Sequence, residues 1–334
     1  MNGTQQLGIE IGLHAVVVAV DDSNPNILIV DGTNAAGDNC PGLPYGPFDP
    51  TRHRTLEMGL REWVDNQTQL KLGYVEQLYT FGDRSRLHAD PTDQANLVSV
   101  GYLALVRQTN ETGTGRNLQW NSWYSHFPWE DWRGGQPSLL GQAILPQMAD
   151  WVRAAPLDRS GSSNLERQVR FRLAFGCDLP DSGAPVVEQW DDERVLERYE
   201  LMYEAGFVDE AVTDGRFGTR QVDAGTGRPM LHDHRRILAT AMARLRAKLK
   251  YRPVVFELMP DQFTLTELQQ TVEHISGRGI HKQNFRRLVE TAQLVEPTGA
   301  RSSNTGGRPA AYYRFRRSIL RERPAPGLRI GARG

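Results

Sequence analysis

The chain is poor in cysteine, has no long apolar run and does not begin like a secreted protein. Its two cysteines, Cys40 and Cys177, are too few and too far apart for a disulfide framework or a zinc site. No apolar stretch approaches the roughly 20 residues of a membrane span, since Ala15 to Val20 is short and meets Asp21 at once. Met1 to Gln6 carries neither the basic nor the apolar region of a signal peptide. Together these absences argue against a disulfide-stapled scaffold and a spanning helix. The expected setting is a reducing cytoplasm, on the nucleoid, with no membrane partner.

What is present is charge sorted along the chain. His232 to Gly334 holds 20 Lys and Arg against 8 Asp and Glu, a formal +12, while residues 1–231 carry −13, and the whole-chain value of −1 conceals the division. A cationic module beside an anionic one is the electrostatic footprint of a nucleic-acid binder whose other part does something else. The length of 334 residues exceeds what one core usually supports, so more than one domain is expected.

His14 to Val20 and Ile27 to Val30 are β-branched runs around the turn-rich Asp21 to Asn26, which reads as a hairpin. Gly37 to Pro50 reads as a loop. Thr55 to Leu70 carries Leu56, Leu60, Trp63 and Val64 at helical spacing, and Val75 to Phe81 and Leu97 to Val106 return to strand character. From Asn110 to about Arg228 the pattern changes, and six of the seven tryptophans fall there. Helices are expected near Ser138 to Ala154 and Asp191 to Ala205, with surface loops at Gly161 to Asn164 and Asp178 to Ala184. Because this segment is acidic, its tryptophans read as packing in a core or dimer interface rather than as base-stacking platforms. A helix over Arg235 to Lys250 repeats Ile237, Ala241, Leu245 and Leu249 and is expected to link the two halves. The His232-Asp233-His234 sequence at its start reads as a solvated cap, not a metal set.

In the basic module, Thr264-Leu265-Thr266-Glu267 is a capping-box sequence, so a helix starts there and stops at Gly277. After Arg278-Gly279-Ile280 a second helix, Lys282 to Ala292, puts Phe285, Leu288, Val289 and Ala292 on one stripe. Its opposite face presents Gln283, Arg286, Arg287 and Glu290, flanked by Lys282 and Asn284. Strand-like Leu294 to Thr298 and Ala311 to Phe315 follow, joined by a segment with Arg301, Gly306, Gly307 and Arg308. Helix, turn, helix and basic hairpin is the order of a winged helix. Its second helix suits the major groove, about 12 Å wide, where Arg and Lys read guanine and Asn and Gln read adenine. The candidate DNA contacts are Thr264, Arg278, Lys282, Gln283, Asn284, Arg286, Arg287, Arg301 and Arg308.

The helix near the N-terminal strands contains Arg61-Glu62-Trp63-Val64-Asp65-Asn66-Gln67-Thr68-Gln69. This resembles the box of Nudix hydrolases, Arg-Glu-U-x-Glu-Glu-x-Gly-U with U apolar, whose carboxylates hold divalent metals. Arg61 and Glu62 remain, but Asp65 and Asn66 stand in place of the paired glutamates and Thr68 in place of the glycine. An amide for a carboxylate removes charge from a hard-cation site, so a metal-dependent enzyme is not expected. Leu43 to Gly46, Glu76 to Asp83, Leu97 to Leu105, Phe263 to Leu268, Asn284 to Arg287 and Gly307 to Ala310 resemble the Nudix-related regulators of NAD metabolism, the NrtR group. Within it, the eroded box and the long acidic insertion are most similar to the NadQ-type repressors of de novo NAD synthesis genes.

That resemblance implies an α+β fold: an N-terminal Nudix-like α/β/α sandwich with a helical insertion, plus a C-terminal winged helix-turn-helix. The expected divisions are 1–109 for the nucleotide-sensing domain, 110–231 for the insertion, 232–252 for a linker helix, 253–320 for the winged helix and 321–334 for a flexible basic tail. It also implies a homodimer on inverted-repeat operator DNA, with an adenine-nucleotide effector: NAD, ADP-ribose or ATP. No cofactor is required, although Mg²⁺ can accompany the nucleotide. Arg61, Glu62, Arg84 and Arg86 are the candidate ligand contacts, the arginines suited to phosphate, with Tyr79 or Phe81 for stacking. Two rival readings are a working pyrophosphatase on ADP-ribose or NAD, using Glu62 and Asp65, and an RNA-binding adaptor. His53, close to the box, reads as a loop residue rather than a general base.

Overall fold

Strand β1 (Ile9–Val20) is apolar on both faces, and that decides the layering. Leu13, Ala15, Val17 and Ala19 point into one core, while Val16 and Val18 point into another, as the two-residue period of a strand requires. A strand buried on both sides has to be covered from both sides. In the computed structural model, which describes residues 9–21, 24–33, 37, 39–82, 96–107, 118–154, 162–180, 183–218, 225–302, 309–319 and 328, helices supply both covers.

The large sheet runs β3 (Asn39–Gly42), β2 (Pro25–Thr33), β1, β6 (Asn96–Leu105), β5 (Tyr74–Phe81). β4 (Tyr45–Pro47) adds to β1, and β7 (Leu118–Ser122) adds to β2. The β1–β2 hairpin forms as the sequence implied, and the Asp21 side chain closes its turn by accepting from the Asn24 amide and the Asn26 side chain, both at 2.7 Å. β1 and β6 are parallel, so the chain crosses between them through α1 (Leu56–Thr68). Two expectations change here: Gly37 to Pro50 is not a plain loop but supplies β3 and β4, and the 110–231 segment is not purely helical but gives the sheet β7.

α1 packs Leu60 and Val64 on one face of the sheet. The other face is covered by α6 (His234–Tyr251), where Ile237, Leu238, Ala241, Met242, Leu245 and Leu249 are all buried. α6 is therefore a layer of the sandwich and not a linker. It lies close to the sheet because Gly101 of β6 has no side chain; a Cβ there would meet the Ile237 side chain at 2.8 Å. Around α6 the insertion folds into α2 (Leu145–Arg153), preceded by a π-helical turn over Leu140–Ile144, α3 (Ser162–Phe175), α4 (Val195–Glu204) and α5 (Asp209–Thr213). Ser162 to Asn164, read from sequence as loop, open α3. Trp123 and Trp129 are completely buried and Trp132 sits 4.5 Å from Trp190, so the insertion's aromatic density is core packing.

The basic end forms β8 (Phe263–Thr264), α7 (Leu265–Ser276), α8 (Lys282–Ala292), β9 (Val295–Arg301) and β10 (Ala311–Phe315), with sheet order β8-β10-β9. One continuous apolar cluster runs from Val16 and Ile29 of the sandwich through Trp129 and Leu245 to Leu268, Ile275, Phe285 and Val289 of the winged helix.

Candidate nucleic-acid interface and nucleotide site

The candidate recognition helix, α8, is shaped by the stripe the sequence carries. Phe285 and Val289 are buried under α8, and Lys282, Gln283, Asn284, Arg286, Arg287 and Glu290 are exposed. Arg301 at the end of β9 is exposed as well. The exposed residues thus offer two side-chain amides and four cations in two groups, the combination that major-groove edges and phosphates accept. Arg308 falls outside the described residues.

Two expected contacts are spent elsewhere. The Thr264 hydroxyl accepts from the Glu267 amide at 3.2 Å while Glu267 accepts from the Thr264 amide at 2.7 Å, a complete capping box with Thr264 buried. Arg278 donates to the Trp190 carbonyl, so its guanidinium faces the insertion instead of a duplex. Sequence reasoning also passed over the residues that set the angle of α8. Glu273 accepts from the Ile280 amide at 2.7 Å, and Gln269 donates to the Ile280 carbonyl at 2.7 Å, gripping the turn from α7. The insertion grips it from the other side: the Trp132 amide donates to the Gly277 carbonyl at 2.7 Å, and the Tyr124 hydroxyl donates to the His274 carbonyl at 2.6 Å.

Beneath that turn lies a buried ionic group. Glu130 accepts from Arg198 at 2.6 and 2.9 Å and from Arg246 at 2.7 Å, and all three side chains have no solvent exposure. Burial by itself would raise the Glu130 carboxyl, but the two guanidiniums outweigh it and hold the acid below its usual range. The remaining donors are also satisfied: Arg246 reaches the Ile275 and Asp192 carbonyls, and Arg198 those of Ala174 and Asp191. The group thereby ties α4, α6 and the end of α7 to the insertion.

At the box, the two residues that match the hydrolase pattern hold the fold. Arg61 donates to Glu57 at 2.9 Å and to the Leu72 and Gly73 carbonyls. Glu62 is met by Arg52 and by His53 Nε2 at 3.2 Å. His53 is buried, and because its Nδ1 accepts from the Asp49 amide, the ring proton sits on Nε2, facing Glu62. Asp65 and Asn66 project into solvent, and the Thr68 hydroxyl turns inward to the Val64 carbonyl at 2.6 Å. Trp63 lies over Gly46 and donates to the Pro47 carbonyl, and Gln67 pairs with both backbone groups of Tyr45, which clamps α1 onto β4. Among the described residues, the one group of three acids or histidines close enough to share a cation is Asp191, Asp192 and Glu193, away from the box and already paired with Lys250 and Arg194. Among the described residues, the box itself brings no such group together.

Of the stacking candidates, Tyr79 is 61% exposed whereas Phe81 is buried with the Arg236 guanidinium over its ring at 4.7 Å. Phe81 is core, which leaves Tyr79 as the open ring. Arg84 and Arg86 lie outside the described residues. The His232-Asp233-His234 sequence also differs from expectation, since only His232 is exposed. His234 Nδ1 accepts from the Leu43 amide at 2.9 Å, so its proton is on Nε2, which donates to His14 Nδ1 at 2.9 Å. Both rings are buried and neutral: burial, helped by the nearby His232, lowers His14 to about 3, and burial, with His14 and His232, holds His234 well below the usual imidazole range.

Residues 255–315 match the family described as the NrtR DNA-binding winged helix domain. The ADPR responsive transcriptional repressor NtrR of Acinetobacter baylyi is 45% identical over 83 residues, a quarter (25%) of this chain, and the match spans a third (33%) of that relative's length. The crystal structure of Shewanella oneidensis NrtR complexed with a 27mer DNA superposes with a TM-score of 0.52 at 20% identity, covering 93% of this chain and 95% of that one. A second crystal structure of Shewanella oneidensis NrtR gives a TM-score of 0.50 at 19% identity, covering 92% of this chain and 94% of that one. Identity that low speaks for the fold alone: over most of its length the chain is folded like Shewanella oneidensis NrtR. The basic module is thus similar to the NrtR DNA-binding winged helix domain, and it is carried on a fold like that of Shewanella oneidensis NrtR.

Proposed function

We propose that this chain is a cytoplasmic, homodimeric transcriptional repressor of NAD biosynthesis genes, of the NadQ kind. Its winged helix binds an inverted-repeat operator, and its Nudix-like domain senses NAD, ADP-ribose or ATP without hydrolysing it. The observation that carries this reading is α8: a helix fastened by buried Phe285 and Val289 and gripped at its leading turn, yet with Lys282, Gln283, Asn284, Arg286 and Arg287 exposed. A surface held that rigidly is preorganised to bind.

The non-enzymatic assignment rests on the box. Glu62 is engaged by Arg52 and His53, and Asn66 brings no charge. Any Mg²⁺ then arrives with the nucleotide's phosphates rather than on protein carboxylates. Tyr79, Arg84 and Arg86 are the proposed ligand contacts, while Arg61 and Glu62 hold α1 to the segments that flank it. The test is to titrate NAD, ADP-ribose and ATP into the protein bound to its own upstream promoter fragment. One of the three shifts the bound fraction; if none does, or if the fragment is not retained at low salt, the proposal fails.

A further inference from the structure

A cavity of about 700 Å³ lies between the end of β6 and the base of the wing, within the range of roughly 300 to 1,000 Å³ in which proteins hold small molecules. Its walls come from both halves of the chain. Arg107 follows β6 of the sandwich, whereas Asp261, Glu296, Arg314, Phe315 and Arg317 belong to the winged helix. Glu296 and Arg314 face one another at the open end of the hairpin, where β9 begins and β10 ends, so the cavity lies away from the segment that joins the two strands. It is also separate from α1 and from the exposed face of α8, none of whose residues line it.

Four arginines and three acids line it, Arg107, Arg314, Arg316 and Arg317 against Glu257, Asp261 and Glu296, a formal +1, and two of the arginines are held in exposed ion pairs. Arg107 pairs with Asp261 at 2.7 Å and Arg314 with Glu296 at 2.7 Å, but Asp261 is 84% exposed and the Arg314 side chain 63% exposed. Surface pairs of this kind contribute little and exchange readily for a better anion. Arg317 is exposed and makes no ion pair among the described residues. Beside them the Phe315 ring is held by Phe256, stacked at 4.4 Å and 19°, which gives the cavity a rigid apolar floor. Guanidiniums around an apolar floor select an anion with an organic body, and their forked donors match phosphate.

We propose that this cavity is a second ligand site, taking a phosphate-bearing small molecule of nucleotide size, with phosphate between Arg107, Arg314 and Arg317 and its apolar part on Phe315. A ligand there joins the sandwich to the winged helix, because Arg107 lies on one and Arg314 and Arg317 on the other. The inference does not depend on nucleotide sensing near α1, nor on DNA binding.

The experiment is calorimetric titration of the full chain with ATP, and separately with inorganic pyrophosphate. The Arg314→Ala/Arg317→Ala double variant is expected to lose one class of sites or bind about tenfold more weakly, the effect of removing charge-assisted hydrogen bonds. Asp261→Asn, at an exposed side chain, is expected to free Arg107 and tighten the same class severalfold. This second variant works in the opposite direction and does not rely on the first one folding. Pyrophosphate responding in parallel with ATP identifies phosphate as the recognised group; ATP responding alone assigns recognition to the whole nucleotide. Unchanged affinity and stoichiometry in both variants overturns the proposal, whatever happens at α1.

Discussion

The amide of Trp132 donates to the carbonyl of Gly277 at 2.7 Å, and Gly277 is the left-handed residue that ends α7, with φ of 71°. The insertion therefore touches the turn on which the recognition helix pivots, and it does so through backbone. A Cβ at Gly277 would lie 2.5 Å from the Glu130 carbonyl oxygen and 2.9 Å from the Tyr124 hydroxyl. Gly277→Ala is expected to lose about 2 to 4 kcal/mol, combining left-handed strain with overpacking. Urea unfolding of parent and variant measures it, and a midpoint within error of the parent would refute the clamp.

The two arginines on either side of that turn predict opposite outcomes. Arg287 is exposed on α8, so Arg287→Ala is expected to weaken operator binding by about 1 to 3 kcal/mol and, if it contacts phosphate, to lower the salt slope by about one. Arg278→Ala is expected to reduce stability without a comparable change in salt slope, because its guanidinium serves the Trp190 carbonyl. Gel shifts at several salt concentrations separate the two roles. For the parent, affinity should fall by about 10³ to 10⁵ between roughly 50 and 200 mM salt if six to ten phosphates are engaged.

Thr264→Ala removes the cap of α7 and should cost about 1 kcal/mol. Once corrected for the folded fraction, operator affinity should match the parent. A large specific loss of DNA binding in a fully folded variant would return Thr264 to the interface.

Glu130→Gln leaves two buried guanidiniums without a countercharge, and the expected loss is about 3 to 5 kcal/mol. The same carboxyl contributes to acid sensitivity. Its pKa is lowered on folding, so the stability it confers is present above the ordinary carboxylate range and is lost as pH falls from that range through the lower value of the folded state. Chemical denaturation from pH 7 downward should show the parent losing stability there and the variant losing less.

Three buried histidines act at higher pH. His14 is lowered to about 3 and His126 to about 4, in both cases chiefly by burial, and His234 falls well below the usual value for the same reason. The unfolded chain binds protons on these rings near pH 6.5 and the folded chain does not, so stability is complete above about 6.5 and drops as pH decreases toward 4. The slope approaches about 1.4 kcal/mol per pH unit for each ring well inside the window. A His14→Asn variant that still folds should show a shallower slope between pH 6.5 and 4; an unchanged slope would mean that His14 is protonated in the native state.

Local signals were legible along the chain. The Asp21 turn, the Thr264 capping box, the Gly277 stop and the Phe285–Val289 stripe were all readable because each involves residues within a few positions, where backbone geometry imposes the spacing. Much of the site was not. Arg278 and Phe81 carry the composition of contact residues, but Arg278 is 88 positions from the carbonyl that uses it, and Phe81 lies under Arg236. Glu130 meets Arg246 at a separation of 116. No periodicity announces such pairs, since they form only after α6 has packed on the sheet and drawn the insertion around it.

By itself, then, the sequence determined the charge division, the order of the elements in the winged helix and the exposed face of α8, because helix and strand periods and the repulsion of charge from a core act locally. The tertiary structure decided which arginines and rings remain free, that α6 is a layer rather than a tether, and that the insertion clamps the turn before the recognition helix. Those outcomes depend on which donors and acceptors burial brings together across the chain, where an unmatched charge costs more than any local preference can offset.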